Sequence, residues 1–177
     1  MMRSVRSFRQ SESGAAAAEM ALMLPLLVVL LFVTFEGGYF LWNEHKVVKG
    51  VRDGVRYAGR QPFASYACPG TVNAAAETAI KNVTRTGFPD GDNPNILGSD
   101  NPSIAGWSNA APGVTVALSC TGSVGGIYTS NASTAPIVTV SARVPYPSSP
   151  LSDLVAVLGF DTDIQLNATA KSPVMGI

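Results

Sequence analysis

The sequence has little of what catalysis uses. It holds one histidine, His45, and two cysteines, Cys68 and Cys120. His45 stands beside Lys46 on a helical stretch, a poor place for a Ser-His or Cys-His pair that needs a third, orienting group. It is also far in sequence from either cysteine, so no Cys/His metal site is expected. No glycine-rich phosphate cradle occurs, and the D-x-D of Asp161 and Asp163 reads as a strand-entry turn. No enzyme, no cofactor and no bound metal are expected. Charge is scarce as well, at 14% of residues against about 25% in typical soluble domains. Residues 1–60 carry eight Lys/Arg against five Asp/Glu, and residues 61–177 carry four against seven. An excess of three either way gives no basic patch of the kind nucleic-acid binding requires.

What is present begins with one long apolar run. Ala15 to Phe35 is 21 residues with Glu19 as its only charge. As a helix it spans roughly 31 Å, the hydrocarbon thickness of a bilayer. Pro25 removes one helical hydrogen bond and is expected to kink the helix, which membrane helices tolerate. A cleaved secretory signal is the alternative, but "FVTFEGGYF" offers no Ala-x-Ala-like site. Arg3, Arg6 and Arg9 on one side are matched by Lys46, Lys49 and Arg52 on the other, so the positive-inside count is a tie. The distal region, low in charge and rich in Ser, Thr, Asn, Gly and Pro, favours an N-terminus in the cytoplasm and an exported C-terminus. In an exported region Cys68 and Cys120 are expected to pair as a disulfide; in a cytosolic one they would be free thiols.

The order of parts around Glu19 is specific. A short basic leader, "RSFRQSESG", is followed by "AAAAEMALMLPLLVVLLF", with Glu at the fifth position after the Gly. This resembles the class III signal of type IV pilins and pseudopilins. Together with "KGVRDGVRYAGR" (Lys49–Arg60) and the ending "LNATAKSPVMGI", the chain resembles the TadE-like family. Members of that family are minor pseudopilins of the bacterial tight-adherence (Flp) pilus machinery. Met20 departs from it, since the family more often carries an aromatic or bulky residue after the Glu. The resemblance implies that a prepilin peptidase cuts the Gly14–Ala15 bond and that Glu19 assembles subunits by pairing with the α-ammonium of Ala15 in a neighbour. It implies other pilins or pseudopilins and inner-membrane Tad secretion components as partners. It also implies an inner-membrane location with the C-terminal domain in the periplasm, and incorporation into a pilus serving surface adherence and biofilm.

Elementary physics gives the same residues a reason. An ionised carboxylate near a bilayer's centre costs about 2.5–3.5 kcal/mol, and a facing cation recovers much of that cost. After cleavage Glu19 would stand about 6 Å along the helix from the new amine, in the favourable field of a helix N-terminus. The bland alternative is that Glu19 sits near the interface and reaches water.

Beyond Glu36 the helical pattern continues. Leu41, Val48, Val51, Val55 and Ala58 form an apolar stripe, and Lys49, Arg52, Arg56 and Arg60 a basic row. The basic row reads as a solvated face, or else as a contact for anionic lipid heads. Asp53 is placed to pair with Lys49 or Arg56. Gly50 and Gly54 make a small-xxx-small face that permits close approach. Gly59 and Pro62 end the helix. A second helix is expected over Thr71–Arg85, with Ala75, Ala79 and Val83 along one side. Strands are expected over Val114–Cys120, Ile137–Val144 and Asp163–Lys171, with a short helix at Leu151–Leu158. Asp90, Asp92, Asn93, Asn95 and Asp100 invite a calcium-loop reading, but Pro94 occupies a ligand position and no Glu closes the loop, so a solvated loop is expected.

The expected architecture is α+β and pilin-like, a long N-terminal membrane helix packed on a small antiparallel sheet. Its segments are a leader over 1–14, a transmembrane helix over 15–36, an amphipathic continuation over 37–60 and an exported α+β domain over 61–177. Two further functional readings stand beside the pseudopilin. One is an uncleaved single-pass protein whose outer domain scaffolds secretion machinery or binds a surface partner. The other is a glycosylated exported protein, prompted by the triplets at Asn82, Asn131 and Asn167.

Overall fold

The computed structural model describes residues 12–92, 96, 113–122, 124–131, 134–146, 159 and 164–177. Arg3, Arg6 and Arg9, the loop positions Asn93, Asn95 and Asp100, the helix expected at Leu151–Leu158, and Asp161 and Asp163 lie outside them. The chain divides into two units, Met1–Tyr39 and Phe40–Ile177.

One helix, α1 (Glu12–Gly59), runs through 48 residues. Alanine and leucine dominate its first half, and both lose little rotamer freedom in a helix. It passes Pro25 without a break, although the ring leaves the Ala21 carbonyl without its usual donor. The Thr34 hydroxyl, near the far end of the apolar run, donates to the Leu30 carbonyl at 2.8 Å and so satisfies itself within the helix. The far end tightens through bonds from Arg60 N–H to the Tyr57 carbonyl and from Gln61 N–H to the Ala58 carbonyl, both 3.1 Å. Pro62 then prevents continuation.

In the 40–177 unit the last five turns of α1 lie against a second helix and a sheet. Helix α2 spans Ala74–Thr86. Asn73 caps it, its side-chain oxygen accepting from the Ala75 N–H at 2.9 Å, and Gly87 closes it in the left-handed conformation at φ 84°. The cap places the start three residues later than expected. Strands β1 (Val114–Thr121), β2 (Ala135–Pro145) and β3 (Gln165–Pro173) form one antiparallel sheet in the order β1-β2-β3. Val116 faces Val140, which faces Ala170, and alternation around this row sends Val138, Val140, Ala142, Val144 and Leu166 inward. They meet Val47, Val51, Val55 and Ala58 of α1 and Ile80 of α2 in one core. The helix thus covers the sheet that three strands alone could not stabilise.

Two helical faces match expectation in part. Val47 is buried where Val48 was expected, and Leu41 is 55% exposed. On α2 the inward side is Ala76, Ile80 and Val83, while Ala75 is exposed and Ala79 half-buried. Val51, Val55 and Ala58 of α1 and Val83 of α2 are buried as expected, so the difference is confined to the earlier turns of each face.

Three ties hold the ends of this unit. Cys68 and Cys120 form a disulfide, Cα–Cα 5.9 Å, joining the connection after α1 to β1. Past β3, the Val174 N–H donates to the Pro136 carbonyl at 2.9 Å and the Met175 N–H to the Gly59 carbonyl at 2.7 Å. The buried Tyr66 hydroxyl donates to the Ala58 carbonyl at 2.6 Å. Burial, with a smaller contribution from Tyr57, pushes the Tyr66 pKa from 10.0 up to about 12. Its protonated form is the one the fold prefers, so this stabilisation is complete below pH 10 and is lost as pH rises toward about 12. Tyr66→Phe should cost about 1 kcal/mol at neutral pH and flatten the alkaline decline. Urea midpoints measured across that pH range check both; an unchanged alkaline slope would show that Tyr66 is not responsible.

Candidate functional site

The candidate site is the first half of α1. Gly14 and Ala15 are both helical and exposed, two and three residues from the start of the element. Glu19 follows one turn after Ala15 on the same face, also exposed, and no cation among the described residues pairs with it. From Met20 to Phe35 the large apolar side chains are between 40% and 80% exposed. The hydropathy of this run reaches 2.5 over 18 residues, with none of that window buried in the chain. Length and composition are those of a membrane-crossing helix. A bare apolar cylinder of this length needs lipid or other helices around it.

Above this run α1 changes character. Gly50 and Gly54 lie against Thr84 of α2: a Cβ on Gly50 would stand 2.3 Å from the Thr84 carbonyl oxygen, and one on Gly54 2.0 Å from Thr84 Oγ1. The small-xxx-small face is therefore occupied within the chain by α2. Gly59 plays a like part toward β3, where a Cβ would come 2.7 Å from Ser172 Oγ. Gly37 and Gly38, by contrast, have nothing within 4 Å of the corresponding position. The basic row of Lys49, Arg52, Arg56 and Arg60 is exposed along its length. Asp53 pairs with neither neighbour; among the described residues the ion pair found is Lys81–Glu77 at 2.5 Å, one turn apart on α2.

A second polar cluster was not foreseen. The Arg85 side chain is 7% exposed and donates through Nε to the Lys81 carbonyl and through Nη2 to Asn82 Oδ1, both at 3.1 Å. Burial lowers its pKa. Asn82 in turn donates to the Pro89 carbonyl at 3.0 Å, and Gly91, at φ 79°, passes so close that a Cβ would meet the Asn82 amide at 2.7 Å. Asp90 and Asp92 line one cleft with Arg85 and Lys81, a cavity of about 380 Å³. Cations beside them disfavour a metal between those carboxylates. Asn82 and Thr84 of the first glycosylation-like triplet are 8% and 0% exposed, closed to a transferase in the folded unit, whereas Asn167 on β3 is open. Polar residues on an amphipathic helix announce none of this; Thr84 is buried against α1, and the fold-back of residues 87–92 covers Asn82.

Comparison with known families bears on α1. Residues 14–56 match the family described as TadE-like protein. The stretch is TadE-like. The TadE-like match opens at the Gly14–Ala15 bond, includes Glu19 and the exposed apolar run, and reaches past Gly50 and Gly54 into the core-facing part of α1. It suggests involvement in the Tad pilus system, whose TadE-like components are membrane-associated structural proteins. No curated protein and no solved structure matches the chain.

Proposed function

We propose that the chain is a minor pseudopilin of the Tad pilus system. A prepilin peptidase cuts between Gly14 and Ala15, and the product contributes to pilus biogenesis and surface adherence through helix packing. The observation that carries this reading is a bare apolar helix whose carboxylate, Glu19, pairs with no cation among the described residues and stands five residues past Gly14, where the TadE-like match opens. Cleavage removes Arg3, Arg6 and Arg9, whose passage through hydrocarbon would resist extraction of the helix. It creates an ammonium on Ala15, and a neighbouring subunit shifted by about one turn, 5.4 Å, presents that ammonium to Glu19. The pair sets the register between subunits, and a kink at Pro25 shapes the packing. The N-terminus lies in the cytoplasm and the 40–177 unit in the periplasm; the Cys68–Cys120 disulfide supports that side, since such bonds persist in oxidising compartments. Partners are the peptidase, other pilins or pseudopilins and inner-membrane Tad components.

N-terminal sequencing of the membrane-bound protein tests the cleavage. The expected first residue is Ala15, and Gly14→Ala should leave the leader attached. A native chain that keeps its arginines would instead support the uncleaved single-pass scaffold. Glu19→Ala should insert and be cut normally yet fail to assemble, because an uncompensated buried ammonium costs about 3–5 kcal/mol per contact. Normal piliation by that variant would remove Glu19 from assembly.

A further inference from the structure

We propose that the foot of the 40–177 unit is itself a lipid-contacting surface, with Leu41, Trp42 and Ile164 entering the interfacial layer of the bilayer. The proposal rests on the reading of α1 as membrane-spanning. Leu41 and Trp42 are 55% and 62% exposed, and Ile164 is 46% exposed. They belong to one end of the unit. Phe40 stacks on Tyr146 with ring centroids 5.4 Å apart and planes tilted by 60°, and the Tyr146 N–H donates to the Ile164 carbonyl at 2.8 Å. A residue 122 positions beyond Trp42 is thereby fixed beside the point where α1 leaves the unit.

Lipid is the occupant these residues fit. The foot is continuous along α1 with the exposed apolar run, so the medium that covers one meets the other. Its composition is that of a boundary. Trp and Tyr carry an apolar body and a polar tip and collect where hydrocarbon gives way to headgroups. Lys46 follows Trp42 by one turn of α1, and its ammonium sits over the Trp42 ring, 5.4 Å from the centroid. With Trp42 at the glycerol level, an ammonium held over its ring is within side-chain reach of the lipid phosphates. Glu44 and His45 share this level, so the attraction is local to Lys46 rather than a broad positive field. A dry protein partner would gain nothing from a lysine already engaged on the ring it had to bury.

The test uses the full chain with Trp107→Phe, which leaves Trp42 as its one indole, reconstituted in phosphatidylcholine vesicles. The acyl chains carry bromine either near the glycerol or near the methyl end. Trp42 emission should be quenched several-fold more by the glycerol-end lipid, and only weakly by aqueous iodide. Ile164→Trp in a Trp42→Phe, Trp107→Phe background should behave alike. Leu27→Trp in the same background reports on the span and should be quenched best by methyl-end bromine. Lipid quenching at position 27 but iodide quenching at 42 and 164 overturns the foot and leaves the span standing. Absence of lipid quenching at all three positions overturns the span, and the foot with it.

Discussion

Replacing Cys68 and Cys120 together by serine is expected to lower the unfolding free energy of the 40–177 unit by about 4 kcal/mol. The two cysteines are 52 residues apart, and a closed loop of that length removes much of the freedom the unfolded chain would otherwise have. The loss matters because the unit is thinly built. Its sheet has three strands, and its core is assembled from valine and alanine more than from leucine or phenylalanine. Each buried valine contributes about 1.5–3 kcal/mol at most, set against about 1–2 kcal/mol of backbone entropy for every ordered residue. The disulfide also decides which segments are held. It fastens the Pro62–Asn73 connection to β1, an edge strand bonded on one side to β2. Urea titration of the full chain in detergent, followed by near-ultraviolet circular dichroism, gives the measurement. Oxidised wild type should unfold at clearly higher urea than the double variant, and a reductant should move the wild type to the variant's midpoint while leaving the variant in place. Coincident midpoints would mean that the loop is already restrained in the unfolded chain.

The sequence foretold the elements better than their orientation. An apolar run of this length can only be a helix where backbone groups lack water, and α1 ends at the Gly59 and Pro62 signals. The strands fall within two residues of their expected bounds, because alternation of Val with Thr or Ser is a period-two signal that few other structures produce. The pairing of Cys68 with Cys120 followed from there being two of them. Phase was harder. Val47 and Val48 are both apolar, so spacing alone allows either to face inward. The choice follows from Gly50 and Gly54, whose side of α1 is the one on which Thr84 of α2 comes within 2.3 Å and 2.0 Å of a Cβ position. That constraint is tertiary, and Thr84, the residue that imposes it, carries no local mark. Arg85 shows the same limit: an arginine in a helix's last turn reads as solvated, and it is buried because Asn82 and Gly91 bring residues 87–92 back over it. Glu19 is the opposite case. Its oddity is plain in the sequence, and among the described residues no cation pairs with it; the partner proposed for it is a second molecule.

The contact of α1 with α2 makes the sharpest set of expectations. Gly50→Ala and Gly54→Ala place a methyl at 2.3 Å and 2.0 Å from Thr84 atoms, distances real carbon atoms do not adopt, so α2 must retreat. Overpacking of this kind costs about 1–3 kcal/mol. Alanine's better helix propensity returns about 1 kcal/mol, and each variant should still melt several degrees below wild type. The two clashes differ in what they strike. At Gly54 the nearest atom is the Thr84 hydroxyl oxygen; at Gly50 it is the Thr84 backbone carbonyl. Thr84→Ala deletes the first and leaves the second. Alone, it loses the 2.8 Å bond to the Ile80 carbonyl, at a cost of about 1 kcal/mol. Combined with Gly54→Ala it should restore part of the lost stability, a favourable coupling of roughly 0.5–3 kcal/mol for residues in contact. Combined with Gly50→Ala it should restore nothing, the two losses adding. Thermal melts of the three single and two double variants beside wild type give both couplings. Equal rescue at both glycines would place a movable side chain, not the α2 backbone, against Gly50 and would contradict the close approach on which the core's phase depends.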